Sequence, residues 1–378
     1  MSTMELRTTV RAWALGVLLA TGVAAGCVTQ QTTTLDVSSA DAKLLIYPGA
    51  NWTRVSSAAD AGFSQAGLDS VRALLASGAS TGFMAVADGR VLMEYGDLDT
   101  LSYLASVRKS ILAMLYGNYV ASGKVNLDRT LAQLGIDDVG GLLPSEKEAT
   151  IRDLLTARSG VYHEASNAGD DLASAPPRGS QKHGSYQLYS NWDFNAAGTA
   201  FELTTGRDIY DALETDLAKP IGMQDWRREI QRKSGDTTKS LHRAYHMHLS
   251  TRDMARVGLL MLREGNWAGV QVMPQSWVKE ITRPVTPVSE MNPPGRRDGP
   301  FGYGYLWWIW DGQWNTGAYK GAYSGLGAVG QHITVLPALD LVVAHKTVPG
   351  GNRSVTHEQY LRILDALVRA KCAAACPQ

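Results

Sequence analysis

Residues 103–123 read YLASVRKSILAMLYGNYVASG, a pattern that predicts a helix over residues 107–122, ended by Gly123. Ser106 lies at the tip of this helix, where a short apolar run meets the first turn. The free N–H groups and the dipole at a helix N-terminus stabilise negative charge, so they favour a serine alkoxide. The segment therefore offers Ser106 as a candidate nucleophile.

Lys109 follows three residues after Ser106, on the same face of the predicted helix. Side chains at this spacing have Cβ atoms about 5–6 Å apart, so the amine can reach the hydroxyl. A partly desolvated amine beside the positive end of a helix has a depressed pKa, and its neutral form accepts a proton. Residues 276–279, SWVK, have the same spacing, and we interpret them as the start of an ordinary surface helix.

A second polar cluster, Tyr189-Ser190-Asn191, lies within GSYQLYSNWDFN. A phenol acts as a general acid or base when neighbouring cations lower its pKa, and an amide nearby can hold Lys109 or a substrate carbonyl. Residues 116–118 repeat the pattern as YGN, but they lie on the helix of Ser106, about 15 Å away along its axis. The alternative for Tyr189 is a buried aromatic in a Trp- and Tyr-rich loop.

A glycine-rich segment, SGLGAVGQ at residues 324–331, runs into the strand-like HITVLP. Glycines let a strand edge approach a ligand closely. Gly327 and Ala328 are the candidate substrate-binding positions here, and the N–H groups of Ala328 and Ser106 would form an oxyanion hole. A glycine-rich turn without a catalytic role has the same composition, so that alternative stays open.

The order of the predicted elements indicates an α/β fold of the α+β type. Residues 82–87 and 90–95, joined by Asp88-Gly89, predict a hairpin, and β-rich aromatic segments follow from residue 303 onward. We expect one antiparallel sheet from both ends of the chain, flanked by helices, with an all-helical lobe at roughly residues 120–260. Helical spacing marks residues 68–77, 107–122, 151–157, 194–204 and 250–263. The Pro- and Gly-rich residues 283–300 predict a long loop of the kind that forms lids or rims.

The three motifs in this order resemble the serine β-lactamase and penicillin-binding-protein superfamily, in the branch with Tyr-x-Asn as second motif. The resemblance covers about residues 60–370 and includes ATIRDLLTARSGVYH, STRDMARVGLLMLREGNW and GQHITVLPALDLVV. It implies a β-lactamase/transpeptidase-like fold. It also implies that Ser106 is the acylated nucleophile, that Lys109 and Tyr189 move its proton, and that Asn191 is the third position of the second motif.

The third motif departs from the pattern of the family's β-lactamases, which have Lys-Thr-Gly or a His variant on the strand beside the site. The matching residues here are Gly325-Leu326-Gly327, without a cation, and they look more like the aminohexanoate-dimer hydrolase and esterase branch. Lys346-Thr347-Val348 lies beyond another strand. Because that lysine helps to hold a substrate carboxylate, its loss weakens the β-lactam and cell-wall interpretations. The candidates for a substitute cation are Arg108, His163, Arg178 and Arg296-Arg297.

Three further groups have plainer interpretations. His163 could line the cleft, but a structural loop histidine is an equal alternative. Asp170-Asp171 could be a calcium or general-acid pair, but adjacent acids are usually solvated, and we interpret them so. Residues 307–310, WWIW, could form an apolar acyl pocket, yet aromatics this dense more often form sheet core.

The N-terminus predicts export. Residues 5–27, ELRTTVRAWALGVLLATGVAAGC, combine two arginines, an apolar run and small residues before Cys27. They resemble a bacterial lipobox, whose cysteine is acylated and becomes the mature N-terminus. We divide the chain into a lipoprotein signal peptide (1–27), a Thr- and Gln-rich tether (28–45) and a serine β-lactamase-like hydrolase domain (46–378). We expect a cell-envelope or periplasmic protein anchored to a membrane by lipid, with secretion as the alternative.

The remaining cysteines, Cys372 and Cys376, can form a disulfide in an oxidising compartment, since helical residues four apart have Cα atoms about 6 Å from each other. Two free thiols are the alternative. No His or carboxylate lies close to them in the sequence, so we expect no metal site. The 378 residues contain 36 Lys and Arg against 36 Asp and Glu without a basic stripe, which argues against a nucleic-acid partner.

Together these patterns predict a serine hydrolase that cleaves an ester or amide, from a small molecule or from the cell wall, without a metal or organic cofactor. An esterase or small-amide hydrolase is favoured over a β-lactamase, and a β-lactamase over a DD-peptidase. A non-catalytic lipoprotein that binds peptidoglycan or a partner on the same fold remains the alternative of a different class.

Overall fold

A central antiparallel sheet organises the computed structural model, which describes residues 45–372. Its seven strands lie in the order β2-β1-β13-β12-β11-β10-β9. The strands of the described chain are β1 Gly82–Ala87, β2 Arg90–Gly96, β3 Ser102–Tyr103, β4 Arg232–Ser234, β5 Ala244–His246, β6 His248–Leu249, β7 Asn266–Trp267, β8 Val270–Gln271, β9 Phe301–Tyr303, β10 Trp308–Trp310, β11 Tyr323–Gly327, β12 Gln331–Leu336 and β13 Leu341–Lys346.

Helices cover both faces of this sheet. They are α1 Gln65–Ser77, α2 Val107–Ala121, α3 Leu131–Leu134, α4 Ile151–Leu155, α5 Asn191–Thr205, α6 Ile209–Leu213, α7 Thr251–Leu262, α8 Gln275–Ile281 and α9 His357–Arg369. Helix α1 packs on α9, whereas α7 packs on β1, β12 and β13, and α2 packs on β11 and β12. The predicted α+β fold, with one antiparallel sheet and flanking helices, is therefore confirmed.

The sheet is drawn from both ends of the chain, because β1 pairs along its length with β13, from Gly82 opposite Lys346 to Ala87 opposite Leu341. Side chains alternate along β1, so that Met84 and Val86 join the core on one face while Phe83 and Ala85 join the core on the other. A strand buried on both faces reads as a continuous apolar run, and every residue of β1 is buried.

The helical lobe lies between β3 and β9 in sequence, but short strands interrupt it. Strands β4 and β5 form a small hairpin, and β6 pairs with β3 just ahead of α2.

The sequence patterns above do not predict helix α9, although Thr356 and Gln359 form a capping box at its start. In the described part of the chain, no helix is long and apolar enough to cross a bilayer. The predicted signal peptide, Cys27 and Cys376 lie outside the described residues, and Cys372 lies at their end.

Candidate active site

A strained turn presents Ser106 at the start of α2. The backbone N–H of Leu104 donates to the carbonyl of Met247 at 2.9 Å, which ties the preceding segment to the β5–β6 region. Ala105 then adopts a left-handed conformation with φ of 48°, which costs an L-residue about 1–2 kcal/mol. Ser106 is the N-cap residue of α2, its side chain makes no capping hydrogen bond, and it is half-buried. The Ser106 hydroxyl is thus left for other partners.

Two glycines let β11 lie directly against this turn. A Cβ on Gly327 would sit 2.6 Å from the carbonyl oxygen of Leu104, and one on Gly325 would sit 3.1 Å from Ser110 Oγ. Ala328 follows at the end of β11 and is exposed. The structure therefore brings the third motif beside the first, with Gly327 and Ala328 next to the segment that carries Ser106.

Lys109 is the centre of the polar cluster. Its Nζ atom lies 2.9 Å from Ser106 Oγ, 2.7 Å from Tyr189 Oη and 2.7 Å from Asn191 Oδ1. The lysine is 1% exposed, and Nζ also lies 4.3 Å and 4.4 Å from the ring centroids of Tyr189 and Phe194. The structure thus places Ser106, Lys109, Tyr189 and Asn191, all named from the sequence, in one contact group.

The amide of Asn191 has a fixed orientation. Its Nδ2 donates to the carbonyl of Ala168 at 3.0 Å, so Oδ1 is the atom that faces Lys109. An amide oxygen only accepts, so Lys109 must donate one N–H to it. If the amine is neutral, its lone pair is then left to accept a proton from Ser106 or Tyr189.

Burial moves the pKa values of the two central groups in opposite directions. Burial, with the nearby Arg108 guanidinium as a second cause, holds the pKa of Lys109 well below its usual value, while Asp170 and Asp171 partly oppose this. Burial raises the pKa of Tyr189 to about 12, against the hydrogen bond with Ser106 and the charges of Arg108 and Arg296. The sequence suggested a phenol whose pKa is lowered by cations, but desolvation outweighs them here. At neutral pH, Tyr189 keeps its proton and cannot act as the base, which leaves the amine of Lys109 as the candidate proton acceptor.

Asp170 and Asp171 make hydrogen bonds to the main chain at the two ends of the second motif, Asn191 and Tyr189. Asp170 Oδ2 accepts from the backbone N–H of Asn191 at 2.8 Å, and the backbone N–H of Asp171 donates to the carbonyl of Tyr189 at 2.9 Å. The Asp171 carboxylate also accepts two hydrogen bonds from Arg296, at 2.6 and 2.8 Å. The interpretation of these acids as a solvated pair was wrong, because both make hydrogen bonds within the protein. Their partners are distant in the sequence, so no local pattern predicts these contacts.

The five candidate cations lie in different places. Arg108 is buried, with its guanidinium 3.2 Å from Asn195 Oδ1 and 4.5 Å from the ring centroid of Tyr245. Arg178 pairs with Glu146, and the His163 ring lies between two backbone carbonyls. Arg297 donates to the carbonyl of Met291 at 2.8 Å, and of the five only Arg296 lies over the Tyr189 ring, with Cζ 5.7 Å from its centroid.

The other sequence candidates serve the surrounding structure. Lys346 is buried, with Nζ 3.1 Å from the carbonyl of Ser102 in β3, and burial lowers its pKa to about 7. Tyr116, from the repeated Tyr-x-Asn pattern, donates to the carbonyl of Ala197 in the core. Trp308 belongs to the sheet core, as expected, yet its ring also lies 5.3 Å from that of Tyr189. Within residues 45–372 no group of three or more His, Cys, Asp or Glu is placed to hold a metal ion.

Comparison with known proteins gives one family and a consistent fold. The family model described as Beta-lactamase matches residues 69–360. The unguisins hydrolase ungD' of Aspergillus campestris is 27% identical over 292 residues, which cover 65% of this chain and 52% of that protein. This chain thus spans about half the length of that relative.

Solved structures share the fold at lower identity. A Bacillus anthracis protein described as a 6-aminohexanoate-dimer hydrolase superposes with a TM-score of 0.60 at 19% identity, covering 80% of this chain and 83% of that one. EstCE1, described as a hydrolase with promiscuous acyltransferase activity, superposes with a TM-score of 0.59 at 16% identity, covering 80% of this chain and 98% of that one. At these identities, both similarities show a shared fold.

Proposed function

The chain belongs to the beta-lactamase family, and on that premise we propose that it is an exported serine hydrolase that cleaves an ester or amide through an acyl-enzyme on Ser106. One observation carries the proposal: the hydroxyls of Ser106 and Tyr189 and the amide oxygen of Asn191 all lie within 2.9 Å of one buried amine, Lys109 Nζ. An adjacent base with a depressed pKa is what a serine nucleophile needs.

In the proposed reaction, neutral Lys109 takes the Ser106 proton while Oγ attacks the substrate carbonyl carbon. Tyr189, which keeps its proton at neutral pH, passes a proton to the leaving alcohol or amine and is reprotonated from the Lys109 ammonium. The N–H groups of Ser106 and Ala328 stabilise the negative oxygen of the tetrahedral intermediate. Water then attacks the acyl-enzyme with the same pair as base, which releases the acid and restores the Ser106 hydroxyl.

We favour simple esters and amides over β-lactams and peptidoglycan stems. Strand β11 contributes Gly325, Leu326 and Gly327 beside the start of α2, so it has no cation for a substrate carboxylate. Two of the matched structures have names that agree with this preference, a 6-aminohexanoate-dimer hydrolase and a hydrolase with acyltransferase activity, whereas others are named as β-lactamases or penicillin-binding proteins. β-Lactamase or DD-peptidase activity is the second candidate, which the family itself favours.

Intact-mass spectrometry tests the proposal. The mature protein is incubated with a fluorophosphonate, with p-nitrophenyl esters of increasing chain length, with short p-nitroanilides and with nitrocefin. We expect one phosphonate adduct per chain and turnover of an ester or anilide, and neither with Ser106→Ala. Ser110→Ala is the matched control, because Ser110 lies one turn further along α2 and its hydroxyl donates to the carbonyl of Leu306. An unlabelled wild type, or equal labelling of Ser106→Ala, would contradict the proposal, and turnover of nitrocefin alone would favour the second candidate.

A further inference from the structure

Arg296 reaches the active site from the long loop at residues 283–300. Its guanidinium makes a two-pronged ion pair with Asp171, and its Cζ lies 5.7 Å from the ring centroid of Tyr189 and 5.4 Å from that of Trp308. The rings of Tyr189 and Trp308 lie 5.3 Å apart, tilted by 31°. The phenol, the indole and the guanidinium thus pack against one another as a group of three.

The ion pair between Arg296 and Asp171 is partly buried, and its two hydrogen bonds fix the relative orientation of the two side chains. The side chains of Arg296 and Asp171 are 34% and 17% exposed, and a planar guanidinium fork matches a carboxylate in one orientation. The backbone N–H of Asp171 also holds the carbonyl of Tyr189. Asp171 therefore contacts both the main chain of Tyr189 and the cation that covers its ring.

We propose that Arg296 and Asp171 are positioning residues for Tyr189: their ion pair fastens the 283–300 loop over the phenol and fixes its hydroxyl against Lys109. The inference rests on the proposed function. Neither residue has to touch the substrate, and both act through the phenol. A buried phenol has two rotatable side-chain torsions, and a misplacement of about 1 Å at a proton-transfer group reduces the rate by ~10²-fold.

The charges of the ion pair also affect the pKa values of Lys109 and Tyr189. The charged side chains that act on the Lys109–Tyr189 contact are Arg108, Asp170, Asp171 and Arg296. The Arg296 cation acts on the Tyr189 phenol, so its removal raises the pKa of Tyr189 further. Removing the Asp171 carboxylate makes the Lys109 ammonium harder to form, so the pKa of Lys109 falls.

The test compares Arg296→Gln, Asp171→Asn, their double variant and Arg296→Lys in the full mature chain. The ester that the wild type turns over fastest is the substrate, and kcat, KM and the pH profile of kcat/KM are measured. We expect both single variants to lose ~10²-fold in kcat with KM changed less than threefold, as for a group that acts in the transition state. The acid-side midpoint should move to lower pH in Asp171→Asn, because the Asp171 carboxylate raises the pKa of Lys109, and should stay near that of the wild type in Arg296→Gln.

The remaining variants separate charge from geometry. The double variant should have the midpoint of Asp171→Asn and a kcat no lower than that of the single variants, because the two residues act as one pair. Arg296→Lys should restore only part of kcat, because an ammonium lacks the planar fork. Arg252→Gln is the matched control, since Arg252 makes the same two-pronged contact with Asp225 at 30% and 12% exposure, away from Ser106.

Thermal unfolding of each variant excludes loss of the fold as the cause of a slower rate. The inference is overturned if both single variants keep kcat within threefold of the wild type, or if the loss in the double variant is the product of the two single losses, as for independent residues. Fluorophosphonate labelling of the wild type separates this result from failure of the proposed function, because an unlabelled wild type removes the nucleophile itself and not only the role of Arg296.

Discussion

Lys109 Nζ lies 2.7 Å from Tyr189 Oη, although 80 positions separate the two residues in the chain. The contact joins the first turn of α2 to the residue two positions before α5 begins. Burial lowers the pKa of the amine and raises that of the phenol, so the phenol keeps its proton at neutral pH and the amine loses a proton more easily than an exposed lysine does. Ser106 therefore has a single strong acceptor at hand, which is the amine.

Tyr189→Phe removes the hydroxyl and keeps the ring that packs against Trp308 and Arg296. If Tyr189 relays protons, acylation or deacylation should slow by about 10²–10⁴-fold, the usual contribution of a general acid or base. Stopped-flow release of p-nitrophenol separates the two steps, because a burst reports acylation and the slope that follows reports deacylation.

Tyr116→Phe is the control for that variant, because Tyr116 is also buried and its hydroxyl donates to the carbonyl of Ala197. It should lower the free energy of unfolding by about 1 kcal/mol and leave kcat within a few-fold. A Tyr189→Phe enzyme that keeps the wild-type rate would show that the second motif has another role.

Lys109 gives the pH dependence of the reaction. Because burial lowers the pKa of its amine, the neutral form is present at a pH where an exposed lysine is fully charged. The value of kcat/KM should be lost as the pH falls through that lowered pKa and should be restored as the pH rises. Lys109→Met should abolish this acid-side transition together with acylation. A profile that is flat down to the pH of acid unfolding would argue against an amine base.

Asn191→Asp tests the Asn191–Lys109 contact by charge. A carboxylate at the position of Oδ1, 2.7 Å from Nζ, stabilises the ammonium and raises the pKa of Lys109. We expect the acid-side midpoint of kcat/KM to move up by at least one pH unit, on the order of the effect of one close opposite charge. Asn118→Asp, in the repeated pattern and exposed on α2, should leave the midpoint unchanged. Equal midpoints in both variants would contradict the contact.

Gly327→Ala tests the packing of β11 on the turn of Ser106. The new Cβ would lie 2.6 Å from the carbonyl oxygen of Leu104, which is backbone and must shift. We expect the phosphonate labelling rate to fall by ~10-fold or more while circular dichroism still shows a folded protein, since small displacements at a nucleophile are costly. Gly49→Ala, where the added Cβ meets nothing within 4 Å, is the control. Wild-type labelling of Gly327→Ala would mean that the turn tolerates displacement.

Cys27 carries the predicted membrane attachment. In bacterial cells fed an alkyne-palmitate analogue, the wild type should acquire the label and sediment with membranes. Cys27→Ala should lose the label and leave the membrane fraction, whereas Cys372→Ala should keep both. Release of an unlabelled wild type into the medium would support ordinary secretion instead.

Local sequence was sufficient for the elements whose signals are short-range. The hairpin expected at residues 82–87 and 90–95 is β1 and β2, at Gly82–Ala87 and Arg90–Gly96. The helix expected at residues 107–122 is α2, Val107–Ala121, with Ser106 as its N-cap. Helix α9 could also have been predicted, because the sequence contains the Thr-x-x-Gln capping box at its start. The order of the predicted elements indicated the single sheet, and the family resemblance then identified the motifs.

Tertiary structure decided what surrounds those motifs. Whether Tyr189 or Tyr116 meets Ser106 could be argued from helix length, but the partners of Asp170, Asp171 and Arg296 could not, since their contacts join loops far apart in sequence. The direction of the Tyr189 pKa also required the fold. Desolvation depends on every atom packed around a group, and it outweighed the cations that the sequence places nearby.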